Sequence, residues 1–397
     1  MKLIPTQFSR SVTARLLAVA ISSTALIGGA TLVSAQNETP DLPRQMAWSA
    51  YNVGTTGYNQ AVAIGAMLRD RYNITLRVIP GQNDVSRLMP LNAGRVQFSA
   101  NGVATYFAQE GVFQFAGQEW GPQPLRMLMA SSGDSNQSVA ATARSGITTF
   151  EELRGGRVPF VRGAPALNIS MEALMACGGI TWDDVQRVDY PGYDAMWEGA
   201  INGEVDVAFG TTVSGPARRL EASPRGIVWL PTPHDDAECW QRIRAIGPYF
   251  TPKMATRGPG ISDDNPQEGA DYPYPILITL AEQENSTAYW MVRVINENYE
   301  QFKNADPGAI GWALERQVFD WVVPYHEGAV QYWKEVGAWT DEHDARNQSL
   351  IQRQEVLAQA WDELDARRIR NADERRDAWM ALRAERLEAA GFDPVWR

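Results

Sequence analysis

The chain has 397 residues, 44% of them hydrophobic and 21% charged, with 36 Lys and Arg against 47 Asp and Glu for a net charge of −11. That length exceeds one simple core and fits two lobes of ordinary domain size. The acidic balance repels phosphate backbones and anionic lipid, which argues against nucleic acid or a membrane surface as the main partner.

The first residues carry Lys2, Arg10 and Arg15 and no acid, and an apolar, Ala-rich run from Leu16 to Val33 follows, closing on Val33, Ser34 and Ala35. A basic start, an apolar middle and a small-residue end form a secretory signal peptide, with the cut expected after Ala35. An uncleaved anchor is the alternative. Ser22, Ser23, Thr24, Gly28 and Gly29 interrupt the run, whereas a spanning helix wants about 20 predominantly apolar residues. Cleavage removes three basic residues and takes the net charge from −11 to −14. No later stretch of comparable length is free of charge, so the mature chain is expected to be soluble in the periplasm, with no stable membrane insertion. In that compartment Cys177 and Cys239 can pair as a disulfide or remain two small buried hydrophobes, since spacing alone does not give their separation.

Residues 36–44 are polar with two prolines and suit a lead-in. Residues 46–53 read as a strand, GTTGYN as a turn and 61–72 as a helix with Val62, Ala66 and Leu68 on one face. Residues 74–81 form the next strand, Asn83 and Asp84 start a helix running to about Ala93, and 96–101 is a third strand. The same grammar resumes after residue 133, with a Thr148 or Thr149 cap, a strand at 157–161, a helix at about 166–177, a strand at 184–190, a helix at 193–202 and a strand at 205–212. Strands separated by helices imply parallel crossovers, hence α/β lobes. Residues 252–275 read as a long Pro/Gly loop before a returning strand. Beyond residue 340, Leu350, Leu357, Trp361 and Leu364 recur at helical steps in a charged background, reading as two amphipathic helices hinged near Asn371. The expected organisation is a leader at 1–35, lobe one at 36–132, lobe two at 133–250, crossover and return segments at 251–339, and a charged helical extension at 340–397.

Catalytic chemistry finds little footing. There are three histidines, His234, His326 and His343, none with a His or Cys partner at metal-ligand spacing, and no HExxH, CxxC or G-x-S-x-G motif. His234 beside Asp235 and Asp236 reads better as a helix start than as a metal site. No catalytic residue, metal or cofactor is expected, and the chain is not read as an enzyme. What remains are Gly, Ser, Thr, Asn and Tyr residues at the carboxyl ends of strands, where helix N-termini offer free N–H groups to a small anionic solute.

At these residues the chain resembles the TAXI family, the extracytoplasmic solute receptors of tripartite ATP-independent periplasmic (TRAP) transporters. The resemblance covers about residues 45–339. Its pieces are the GTTGYN loop, LNAGRVQFSANGVATY (91–106), ITTFEELRGGRV (147–158), AMWEGAINGEVDVAFGTT (195–212) and VPYHEGAVQYWKEVG (323–337), which is similar to the family's Pro-x-His-x-Gly-Ala signature. It implies a two-lobed periplasmic-binding-protein fold, type II-like, each lobe a mainly parallel sheet flanked by helices. It also implies capture of a small carboxylate or amino acid and delivery to a TRAP membrane component. The implied ligand contacts are Thr55, Thr56, Gly57, Tyr58, Asn101, Gly102, Ala164, Asn168, Thr211 and Thr212. The chain departs from the family at Asn101–Val103, where an acidic turn is usual, at Arg87, where Asn is frequent, and at the loop that introduces Arg162. Arg162 ends the strand at 157–161 directly before a helix, and is expected to clamp a carboxylate beside the helix N–H groups. The rival readings are a binding protein of the same fold feeding an ATP-driven importer, and an interaction protein acting through its C-terminal helices.

Overall fold

In the computed structural model, which describes residues 39–397, the chain opens with β1 (Gln45–Ala50), α1 (Thr56–Tyr72), β2 (Thr75–Pro80), α2 (Asp84–Asn92), β3 (Phe98–Asn101), α3 (Ala104–Glu110) and β4 (Leu125–Ala130). The leader expected over 1–35 lies outside the described residues. α1 begins inside the GTTGYN segment, not after it: Gly54 at φ +84° turns the chain and Thr55, extended, occupies the N-cap. Thr and Gly are poor helix formers. Tertiary packing overrides them, because Gly57 lies under Tyr274, where a Cβ would sit 2.9 Å from the phenol oxygen.

After the crossover at 131–136 the second lobe runs β5 (Gln137–Thr142), β6 (Arg157–Val161), α4 (Pro165–Met175), β7 (Gln186–Tyr190), α5 (Tyr193–Asn202), β8 (Val207–Thr211), α6 (Gly215–Ala222), β9 (Ile227–Trp229), α7 (Ala237–Ile246), β10 (Thr251–Ala255) and β11 (Gln267–Asp271). The segment read as a Pro/Gly loop thus holds an antiparallel pair, β10 with β11. A disulfide joins Cys177, just after α4, to Cys239 in α7. The chain then returns through β12 (Ile276–Leu280) to α8 (Asn285–Glu297) and α9 (Glu327–Glu335).

β12 completes a five-stranded sheet of order β2-β1-β3-β12-β4. β1 is parallel to β2 and β3, but β12 is antiparallel to β3 and β4, and β5 is antiparallel to β8 and β9. The sheets are therefore mixed, with β6 and β7 the parallel pair of the second lobe. The cause is the crossover. A strand arriving from the other lobe enters its sheet at the cleft end: Ile276 of β12 pairs with Asn101 at the end of β3, and Gln137 of β5 pairs with Thr211 at the end of β8. A strand fed by a βαβ connection enters from the opposite end.

The Pro-x-His-x-Gly-Ala signature is a packing device. His326 caps α9, accepting the Gly328 amide, and its backbone N–H donates to Met127 of β4. A Cβ on Gly328 would lie 2.1 Å from the Asn285 carbonyl oxygen, so only glycine lets α9 meet α8 this closely.

The tail forms α10 (Asp341–Ala366) and α11 (Ala372–Ala389), with Asn371 capping α11. Leu357, Ala360 and Leu364 pack with Trp379, Leu382 and Leu387 against Ala116. Below them Glu110, at the end of α3, is fully buried between two arginines. Arg353 donates to it at 2.7 and 2.8 Å, and Arg383 closes the other side. Burial alone would raise the Glu110 carboxyl, but the hydrogen bonds and charges of the two guanidinium groups together hold it below its ordinary value.

Candidate functional site

Helix starts gather where the two sheets face each other. β1, β3 and β8 each end in a turn of small residues that leads into α1, α3 and α6, and α2, α4 and α5 begin at the same level. The cavity enclosed between the lining residues is small, about 40 Å³. The first lobe supplies Tyr51, Thr55, Thr56, Asp84, Arg87 and Gly102; the second supplies Gln137, Ala166, Tyr193, Phe209, Thr211 and Ser214; the return crossover supplies Tyr272 and Tyr274.

Arg87 dominates the electrostatics. Its side chain is 2% exposed and its Nη2 donates to Asp84 at 2.9 Å, while its Nε and Nη1 have no hydrogen-bond partner. The guanidinium lies 4.2 Å from the centre of the Tyr51 ring, which stabilises the cation by its quadrupole. The Tyr51 hydroxyl and the Thr56 hydroxyl are likewise buried without partners. Unpaired buried donors are costly, so a cluster of them in one cleft calls for an acceptor-rich guest. Burial keeps the Tyr51, Tyr193, Tyr272 and Tyr274 phenols above their ordinary values, so they are neutral donors at any physiological pH. Burial also raises the Asp84 carboxyl, opposed by Arg87 and by the Ala166 amide.

Of the residues expected from sequence, Thr55, Thr56, Gly102 and Thr211 line this cleft. Gly57 and Gly102 form the floor under Tyr274, since a Cβ on Gly102 would lie 3.0 Å from its ring. Asn101 is buried behind them, accepting the Gly102 amide and donating to Ser99. Ala164 is buried at the N-cap of α4, and Asn168 holds both backbone groups of Val161 at 2.9 Å. The Thr212 hydroxyl accepts from Asn136 and donates to the Arg257 carbonyl. Ala164, Asn168 and Thr212 shape loops and are not among the residues that line the cleft. Tyr58 faces a separate groove with Val62 and Arg69.

Arg162 is the clearest correction. Its side chain is exposed, and only its backbone takes part, the carbonyl accepting from Asn83 at 3.2 Å. Arg162 lies in the turn between β6 and α4, where Gly163 at φ +71° reverses the chain, and the side chain projects from that turn into solvent while Val161 and Ala164 on either side are buried. Nothing in the pattern of turns singles out Tyr51, Asp84, Tyr193, Tyr272 or Tyr274. The usable signal for Arg87 is an Asp and an Arg three residues apart in the first turn of a helix that follows a strand's carboxyl end. Asp236 caps α7 by accepting two amides, and the His234 ring bonds the Gly269 carbonyl. Among the described residues no group of three His, Cys, Asp or Glu is placed to hold a metal, and no helix is long and apolar enough to cross a membrane.

No curated protein matches this sequence. Solved structures with a similar arrangement include the alkanesulfonate-binding protein SsuA from Xanthomonas axonopodis pv. citri bound to MOPS, at 13% identity and a TM-score of 0.41 over 74% of this chain and 91% of that one. A periplasmic binding protein from Brucella ovis with glutathione bound is 12% identical, with a TM-score of 0.40 over 65% and 73% of the two chains. An ancestral arginine-binding protein bound to arginine is 8% identical, with a TM-score of 0.40 over 66% and 97%. These are likenesses of the two-lobed fold and carry no ligand across. The match that covers most of the chain is to residues 50–337, and by it this protein belongs to the NMT1-like family.

Proposed function

We propose that the chain is an extracytoplasmic solute receptor that closes two lobes on a small organic anion or amino acid. The observation that carries the reading is Arg87, a fully buried cation with two unpartnered N–H groups facing a cleft built by both lobes. A carboxylate fits that demand, because a planar guanidinium offers two parallel donors to its two oxygens. The helix N-termini around it add partial positive charge. The leader over 1–35 places the mature protein in the periplasm, and the TAXI resemblance points to delivery to a TRAP-type permease, with no catalytic step.

A thermal-shift screen of residues 36–397 against dicarboxylates, amino acids and keto acids tests the reading. A ligand at 100 times its dissociation constant adds about 2.7 kcal/mol of stability, which is readily seen. Absence of a shift with every member contradicts small-acid capture. Whether the adjacent reading frame encodes a large permease or an ATPase separates the TRAP partner from an ATP-driven importer. N-terminal sequencing of the exported protein, expected to begin at Gln36, tests the leader.

A further inference from the structure

The turn at Gln82–Val85, which begins α2 in the first lobe, is where that lobe is sewn to the second. The Val85 amide donates to the Gly163 carbonyl at 3.2 Å, the Tyr193 amide donates to the Gln82 carbonyl at 3.1 Å, and the Asn83 amide group donates to the Arg162 carbonyl at 3.2 Å. The seam is close. A Cβ on Gly163 would lie 2.9 Å from Asn83, and one on Gly192 would lie 3.2 Å from Gln82. All three of these bonds are made at the rim by backbone groups or a neutral amide, and none touches the cation in the cleft.

Asp84 is different. One of its carboxylate oxygens accepts from Arg87 at 2.9 Å, and the other accepts the Ala166 amide, in the first turn of α4 of the opposite lobe, at 2.7 Å. The side chain is fully buried, so neither bond is diluted by solvent, and the carboxylate sits at the positive ends of both α2 and α4. On the reading of the cleft as a carboxylate site, the geometry points to Asp84 as the residue that couples occupation of Arg87 to closure of the lobes. With the lobes apart, Asp84 has only Arg87 to pair with and competes with a ligand for that guanidinium. When the lobes meet, Ala166 takes one oxygen, and Arg87 is held by a single bond through Nη2, leaving Nε and Nη1 aimed at the guest. Asp84 is a positioning residue: it acts on the ligand through Arg87 and on the second lobe through α4.

The test measures closure and affinity separately. Spin labels at exposed Val62 in α1 and exposed Glu221 in α6 report the distance between lobes, and calorimetry gives the dissociation constant, with succinate, L-glutamate and 2-oxoglutarate as probes. In the wild type a saturating probe shortens the distance. Asp84→Ala is expected to bind that probe at least tenfold more weakly and to stay open when saturated. Asp84→Asn, which keeps the shape and an acceptor for Ala166, closes partly and supplies the same comparison if the alanine variant does not fold. A variant that binds weakly yet closes fully at saturation overturns the coupling role while leaving the receptor reading intact, because Asp84 then only supports Arg87. A wild type that neither binds nor closes with any of the probes overturns the carboxylate reading, and the coupling falls with it.

Discussion

Arg87 and Arg162 differ in burial, not in chemistry: the first is enclosed in the cleft and the second is exposed. Arg162→Ala is expected to leave affinity for a carboxylate unchanged by calorimetry, since its side chain points to solvent; a tenfold loss would place it in the cleft. Gly102→Ala is expected to weaken binding, because the added methyl lies 3.0 Å from the Tyr274 ring that roofs the site. An unchanged affinity there would mean the ring moves freely. The turn pattern in the sequence reaches the cleft but does not name most of the side chains that line it. Thr55, Thr56, Gly102 and Thr211 were legible because helix starts at strand ends are local features. Tyr272 and Tyr274 reach the cleft along a crossover from the other lobe, and no local pattern reports that. The direction of the Arg162 side chain is not legible because it lies past the end of β6 in a turn through Gly163 at φ +71°, where strand alternation no longer applies.

At the scale of elements, the tail is joined to the parent fold by hydrogen bonds of Asn347, Gln354 and Trp379 and by one buried charge cluster at Glu110. Glu110→Gln leaves Arg353 and Arg383 unpaired where both are nearly inaccessible, and breaking a buried pair this way costs about 3–5 kcal/mol. Hydrogen exchange is expected to show α10 and α11 losing protection in that variant; unchanged protection would mean the apolar stripe and the hydrogen bonds of Asn347, Gln354 and Trp379 hold the tail without the charge cluster. The pH dependence has a definite sign. The folded Glu110 carboxyl lies below its ordinary value near 4.5, so its contribution is complete above that value and is lost as pH falls through the depressed one. Stability of the wild type should therefore drop more steeply below about pH 4.5 than that of Glu110→Gln. The amphipathic stripe of the tail was readable from its spacing, and the arginines that anchor it were not, since in sequence they resemble every other charge on those helices.

For the whole molecule, the α/β alternation predicted two lobes, but strand direction depended on the crossovers. β5 and β12 each begin at the cleft, which makes both antiparallel to their neighbours. The disulfide acts on one lobe only. It closes a loop of 62 residues, and on the chain-entropy account its removal costs about 4 kcal/mol. Cys177→Ser with Cys239→Ser is expected to lower the melting temperature of the second lobe without changing solute affinity. Full alkylation of the unfolded, unreduced wild type would show that the bridge does not form.

The central claim is that a buried guanidinium reads a carboxylate between the lobes. It is tested most directly by calorimetric titration of Arg87→Lys with the acid that most stabilises the wild type. Lysine keeps the charge beside Asp84 but lacks the planar pair of donors, and a hydrogen bond to a charged group contributes about 1.5–3 kcal/mol. Since about 1.4 kcal/mol is a factor of ten, the variant should bind roughly ten- to a hundredfold more weakly. Equal affinity in the wild type and Arg87→Lys would contradict the account.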